Sequence, residues 1–365
     1  MTKSQGRTIE VDTLQEFDRL AVSGATAMRG WRVQSVDLIE RTDVLATLDP
    51  AGALFLGCDL TVEATERLLA GGALLFPELP EVPFDPYRSR LYTPEELYAG
   101  IAEGDYEATP DAAIYAWSQQ RDHDLAGELA RALHDHAIDE ALAAEVAGKT
   151  CVGVMGGHAL PRNSPGYAEA AELGRSLARS QRYVVTGGGP GAMEAANLGA
   201  FVCDSPDDIL STALDTLAAQ PGFVPSVTAW ARAAFAVRQE VGEGTASLGI
   251  PTWFYGHEPP NAFASSVAKY FQNSLREDTL LRHCNGGIVF LPGVGGTVQE
   301  IFQDACENYY ADAATVAPMV LVGRSYWTDD VPVWPLLRAL ASGRAMEQAT
   351  HLVGSAGEAL GVLAG

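Results

Sequence analysis

Cysteine and lysine are the residues this chain uses sparingly. Its five cysteines, Cys58, Cys151, Cys203, Cys284 and Cys306, are scattered and form no CxxC pair. Thiols placed this way suit neither a disulfide framework nor a cysteine-based zinc site, and the expectation is a reduced, cytoplasmic protein. No HExxH occurs, and His134 and His136 would leave a helix on different faces, so no metal is expected. The stretch Met1–Gly6 has no apolar core of the secretory kind, and no apolar run approaches membrane-spanning length. From 149 to 365 the only lysines are Lys149 and Lys269, and neither stands at a strand end beside a glycine turn. That argues against a pyridoxal-phosphate decarboxylase, whose cofactor needs such a lysine. Basic side chains number 24 against 47 acidic ones, for a net charge of −23. A balance this acidic disfavours nucleic acid and anionic membrane as partners. It is compatible with a small phosphorylated ligand, held locally by helix N-termini and one or two arginines.

What the chain does have is a globular balance, 47% hydrophobic and 19% charged, over a length of 365 residues that suits two domains. Residues 1–148 read as a smaller α/β or mixed N-terminal module without an assignable motif, regulatory or oligomeric in role. In it Val36–Ile39, Ala53–Cys58 and Gly72–Phe76 read as strands and Ala64–Leu69 as a helix. Pro80, Pro83 and Pro86, at three-residue spacing, mark an extended arm. Aromatics gather along it (Phe84, Tyr87, Tyr92, Tyr98, Tyr106, Tyr115, Trp117), and their simplest role is to pack the arm onto the second domain. A helical stretch from His123 to Ala147 ends at Gly148–Thr150, the expected domain boundary.

From Cys151 onward strands and helices alternate. Cys151–Met155, Tyr183–Thr186, a segment before Pro251, Gly287–Leu291, Met319–Gly323 and His351–Val353 read as strands. Tyr167–Ser180, Ala192–Ala200, Val227–Gln239, Ala262–Leu281, Trp334–Leu340 and Ala356–Leu363 read as helices. The alternation predicts a Rossmann-like, doubly wound parallel sheet in 149–365, whose ligand lies at the carboxyl ends of the strands.

Two glycine turns fall at such ends. The later one, Leu291-Pro292-Gly293-Val294-Gly295-Gly296-Thr297-Val298-Gln299-Glu300, joins a strand to a helix, so its N–H groups and the helix dipole suit a phosphate. Glu300 follows Thr297 by three positions, which fits either a functional carboxylate or a capping-box partner. The earlier turn, Gly187-Gly188-Gly189-Pro190-Gly191, departs from G-x-G-x-x-G, and the acids that follow it, Asp204, Asp207 and Asp208, lie in a polar turn. A dinucleotide dehydrogenase is therefore a distant reading. Two separate turns suit one mononucleotide lying across the top of the sheet.

The run Thr186 to Asn197, taken with Pro292 to Glu300, resembles the Lonely Guy (LOG) family of lysine-decarboxylase-like Rossmann-fold proteins. Its members are phosphoribohydrolases that release a base from a nucleoside 5′-monophosphate. The resemblance covers about 151–365. The family pattern P-G-G-x-G-T-x-x-E is met by Pro-Gly-Val-Gly-Gly-Thr-Val-Gln-Glu, with Val294 in place of the second glycine. The family's Arg-Lys pair is best matched by Arg276, one residue out of register and followed by Glu277 instead of lysine, with Arg282 as the fallback.

By that resemblance Arg276 and Glu300 are catalytic. Glu300 serves the ribose as it becomes oxocarbenium-like, and Arg276 serves the departing base or the register of the ribotide. Gly187, Gly188, Gly189, Gly191, Glu194, Gly293, Gly295, Gly296 and Thr297 would bind phosphate or substrate. Glu258 would approach the substrate or stand as a surface-loop acid, while His257 and His283 would be supporting. The implied activity is hydrolysis of a purine nucleotide or cytokinin ribotide to free base and ribose 5-phosphate. It needs no cofactor, and the family is usually a homodimer or higher homo-oligomer. The alternative is a nucleotide or cofactor carrier of the same fold without turnover.

Overall fold

The computed structural model describes residues 8–79, 82–120, 125–254 and 258–363. Every pairing within its two sheets is parallel, and helices link the strands, which makes the chain an α/β protein. It packs as two compact units, Met1–Arg90 with Arg121–Ala141, and Leu91–Gln120 with Leu142–Gly365. The chain thus passes between units at three places, whereas the sequence suggested one boundary near 148.

In the first unit β1 (Ile9–Val11), β2 (Trp31–Gln34), β3 (Leu54–Leu56) and β4 (Leu74–Phe76) pair in the order of the chain. Ile9 is level with Trp31, Arg32 with Leu54, and Leu54 with Leu74, so the pattern recurs every twenty-odd residues. Helices α1 (Leu14–Val22), α2 (Thr42–Thr47) and α3 (Val62–Ala70) fill the returns. Thr13 and Thr61 cap the first and last of these by accepting from Glu16 N and Ala64 N. Coil stacked on coil in this manner is a short solenoid. Its core is Val11, Phe17, Met28, Trp31, Val33, Phe55 and Leu68. The strand expected at Val36–Ile39 is instead a single bridge at Asp37 followed by a 3₁₀ turn at Ile39–Arg41, because Ser35 takes a positive φ of 50° and ends β2. Val36 and Leu38 are buried, as their alternation implied, without being in a strand.

The second unit carries β5 (Cys151–Met155), β6 (Tyr183–Thr186), β7 (Leu248–Gly249), β8 (Ser266–Val267), β9 (Ile288–Phe290), β10 (Met319–Val322) and β11 (Thr350–Val353). Their order is β11-β10-β9-β5-β6-β7-β8. From β5 the chain winds outward to β8, then returns to β5's other side and winds outward again, which is the doubly wound, Rossmann-like arrangement. The reversal lies between β5 and β9, so the crevice expected of such sheets opens above those two strands. Flanking helices are α4 (Pro165–Arg179), α5 (Ala192–Phe201), α6 (Asp207–Ala218), α7 (Val227–Val241), α8 (Asn273–Arg282), α9 (Gly295–Tyr310), α10 (Val333–Ala341) and α11 (Ala356–Leu363). The central strands are mostly apolar because both faces are covered, with Val152, Val154, Val184, Val289 and Val320 at the centre.

Two sequence expectations fail here. The helix read from Ala262 to Leu281 begins only at Asn273. Before it the chain runs extended through β8, with Ala268 N bonded to Gly249 O and Tyr270 N to Pro251 O. A fully buried apolar run looks alike as helix or strand, and neighbouring backbone decided it. The polar turn at Asp204–Asp208 instead leads into α6, with Pro206 ahead of it and Asp207 and Asp208 in its first turn. Residues 91–120 belong to this unit as well. Tyr92 pairs by backbone with Val267, and the Tyr98 hydroxyl donates to Pro260 O. Buried Asp111 accepts from the Tyr106 hydroxyl, Trp253 Nε1 and Lys269 Nζ. Tyr92, Tyr98 and Tyr106 are thus packing residues, and Lys269 is an interior cation. Among the described residues no helix is long and apolar enough to cross a membrane.

Candidate functional site

Three strand ends, those of β5, β6 and β9, open on one cleft of about 670 Å³. Gly156, Gly157 and His158 follow β5, Gly187 and Gly189 follow β6, and Pro292 to Thr297 follow β9. Glu258, Arg276, Glu277 and Glu300 complete the wall.

The turn after β9 is open. Its helix α9 starts at Gly295, and Val298 N, bonded to Val294 O at 2.9 Å, makes the first bond of the helix. The N–H groups of Gly295, Gly296 and Thr297 precede that bond and are the unpaired donors of a helix start. Gly295 and Gly296 are exposed, and a Cβ at either would meet no atom within 4 Å. Gly293 differs, since a Cβ there would lie 2.2 Å from Thr297 Oγ1 and 3.0 Å from Gly157 N. Val294, 65% exposed, points its side chain into solvent, which explains how the turn tolerates it. Thr297 is the third helical residue and α9 has no side-chain cap, so Thr297 and Glu300 do not form a capping box.

The turn after β6 is closed. Gly187 to Gly191 are all buried. Gly188 and Gly191 have φ of 73° and 72°, and side chains there would strike Pro251 and the Gly157 carbonyl. Thr186 Oγ1 accepts from Gly188 N, and Asn261 holds the turn through Gly188 O and Gly189 O. Asn197 joins Thr186, Asn261 and Ser247 beneath it. Gly187 and Gly189 reach the cleft, whereas Gly188 and Gly191 serve the backbone turn.

Glu194 does not line the cleft. It is fully buried on α5, where both oxygens accept from Arg162, whose Nη1 also donates to Trp230 O. The pair borders a smaller cavity of about 320 Å³ beside Phe223 and Trp230.

The charged end of the cleft is built by α8 and α9. Arg276 donates from Nε to Ile250 O at 2.7 Å, from Nη1 to Glu277 Oε1 at 2.7 Å and from Nη2 to Gly187 O at 3.3 Å. Glu300 Oε1 stands 3.9 Å from that Nη1. Arg276 is therefore at the site, but its donors are largely taken by the protein, and its effect on a ligand is mainly that of a fixed charge. Glu300 is 6% exposed, and burial, opposed by Arg276 and reinforced by Glu277 and Glu258, pushes its carboxyl up to about 8. At neutral pH it holds a proton. Glu258 lines the cleft and its Oε1 lies 3.1 Å from His158 Nδ1.

Arg282 is away from the cleft, exposed and 3.8 Å from Asp278. His283 is the C-terminal cap of α8 and lines no part of it. His257 lies outside the described residues. Lys149 and Lys269 are not in its wall. Sequence reading passed over Gly156, Gly157 and His158, although a glycine pair directly after a buried strand was a usable sign. It also treated Glu277 only as a missing lysine.

Residues 149–204 match the SLOG cluster4 family. The match spans β5, α4, β6, the buried turn and α5, and ends before the open turn. No curated protein matches the chain. Among solved structures it is similar to the molybdenum cofactor binding protein from the phototrophic bacterium Rippkaea orientalis, at 16% identity over 60% of this chain and 97% of that one, with a TM-score of 0.37. It is also similar to the molybdenum cofactor carrier protein of Chlamydomonas reinhardtii, at 18% identity over 60% and 100%, with a TM-score of 0.35.

Proposed function

We propose that the cleft binds a nucleoside 5′-monophosphate and that the protein hydrolyses its N-glycosidic bond, giving free base and ribose 5-phosphate. The observation that carries this reading is the placement of Glu300. A buried carboxyl, raised by desolvation, lies about one helical turn beyond the exposed glycines that begin the same helix. The 5′-phosphate rests on the N–H donors of that helix start, and its binding energy positions the reacting carbon. As the C1′–N bond breaks, Glu300 gives its proton to the departing base, and water adds to C1′. The proton lost by that water restores the carboxyl. This moves proton delivery to the base away from Arg276, to which the resemblance gave either that role or the register of the ribotide, because three Arg276 nitrogens already donate to the protein.

The same engagement favours a second reading, nucleotide or cofactor binding without turnover. Incubating the purified protein with AMP, IMP and GMP and separating the products by chromatography distinguishes the two. Free base released by the wild type, and lowered at least 100-fold in Glu300→Gln, is the expected result. Nucleotide that raises Tm with no base released would establish the binding protein instead.

A further inference from the structure

One side chain in the wall of the cleft carries an oxygen with no task in the reaction just described. Glu277 is 3% exposed and lines the cleft. Its Oε1 accepts from Arg276 Nη1 at 2.7 Å, while its Oε2 is buried and has no hydrogen-bond partner among the described residues. A buried acceptor left unmatched carries the full desolvation cost of that group, and more when it is charged. Such a group persists where something outside the fold completes it. The position is also opposite in chemistry to the lysine that the family pattern would place there. Lysine can only donate, and a carboxylate accepts.

Its location narrows the donor. Glu277 Oε1 and Glu300 Oε1 both lie within 4 Å of the same Arg276 nitrogen, so the two carboxyls flank one guanidinium. Glu300 addresses the bond at C1′ of the bound nucleotide. The ligand's phosphate is itself an acceptor and an anion, and it belongs at the N–H groups of the open turn. The hydroxyl next to C1′ is a neutral donor on the adjacent carbon.

We propose that Glu277 is the sugar-recognising residue of the cleft, its unpartnered oxygen accepting a hydrogen bond from the ribose 2′-hydroxyl. The inference rests on the phosphoribosyl reading above. Arg276 is then a positioning residue, holding Glu277 by Nη1 while Ile250 O and Gly187 O hold Arg276 itself. A carboxylate bonded to the 2′-hydroxyl also favours the ribose as it becomes cationic, so the contact serves rate as well as choice of sugar.

Calorimetric titration of the full chain with ribose 5-phosphate and with 2-deoxyribose 5-phosphate tests the assignment without requiring turnover. Wild type is expected to bind the ribose compound roughly tenfold or more tightly, as fits one charge-assisted hydrogen bond. In Glu277→Gln, which keeps the shape of the side chain, the ratio should fall to about threefold or less, with affinity for the deoxy sugar little changed. Equal binding of the two sugars by wild type overturns the role of Glu277 and leaves the phosphate-binding reading standing. Discrimination that survives unchanged in Glu277→Gln overturns it too. Failure of wild type to bind either sugar phosphate, or AMP in the same cell, overturns the parent reading and this inference with it.

Discussion

Gly188 and Gly191 sit where a side chain would drive into Pro251 or the Gly157 carbonyl, whereas Gly295 and Gly296 have nothing before them. Both turns belong to the same cleft, and both looked in sequence like phosphate cradles. In the first, glycine lets backbone pack on backbone and take a positive φ. In the second it leaves donors uncovered. A glycine-rich turn is therefore two different devices, and only the surroundings of the Cα tell which one is present.

Substitution should separate them. The largest effect is expected at the closed turn. In Gly191→Ala a Cβ would lie 2.4 Å from the Gly157 carbonyl oxygen at a φ of 72°. Backbone strain and overpacking together should cost roughly 3–5 kcal/mol, read as a fall in Tm of about 10 °C. An unchanged Tm would erase the distinction between the turns.

Next comes the helix that the open turn begins. Glu300 and Asp304 are both raised to about 8 by burial, from ordinary values of 4.5 and 3.8. A carboxyl raised in the folded state contributes stability that is fully present below its unfolded value and is lost as pH rises through its folded one. Stability should accordingly decline between about pH 4 and 8, by several kcal/mol at about 1.4 kcal/mol per pH unit for each raised carboxyl. Urea unfolding of Glu300→Gln should show a shallower decline, with Asp304 supplying what is left. A wild-type profile flat across that range would contradict the burial of both groups.

The smallest effect on folding belongs to the open turn itself. Gly296→Ala, in the first turn of a helix with room for its methyl group, should leave stability unchanged or raise it by about 0.5 kcal/mol. Affinity for the ribonucleotide should nonetheless drop about tenfold as the methyl covers an N–H donor. Val294→Gly, which restores the family glycine at a position whose side chain faces solvent, should change affinity less than about threefold. A large gain there would mean that Val294 obstructs the phosphate.

Much of the second unit was readable from the chain because β5, β6, β9 and β10 are short, mostly apolar runs closed by glycine or proline and set between amphipathic helices, too short to be helices themselves. The solenoid of the first unit was not. Its repeat is carried by strands of three or four residues whose register appears only when Glu10, Arg32, Leu54 and Leu74 are set side by side. β8 was hidden for a related reason, since burial on every side removes the periodicity that distinguishes strand from helix.

For the site, the residue types and their strand-to-helix spacing were enough to bring Gly187, Gly189, Gly293, Gly295, Gly296, Thr297 and Glu300 into consideration together, and the family resemblance added Arg276. Glu194 was misplaced because nothing local announces Arg162, which lies 32 positions away in sequence and claims both of its oxygens.

The order of polar and apolar residues by itself determined a parallel α/β sheet with glycine turns at its strand ends, because local turn chemistry and burial patterns are written in neighbouring residues. Only the tertiary structure decided which turn is open, that Arg276 donates to Ile250, Glu277 and Gly187, that burial raises the Glu300 carboxyl, and that one oxygen of Glu277 is buried without a partner among the described residues. Those properties depend on desolvation and on partners brought in from distant parts of the chain, and no stretch of sequence contains them.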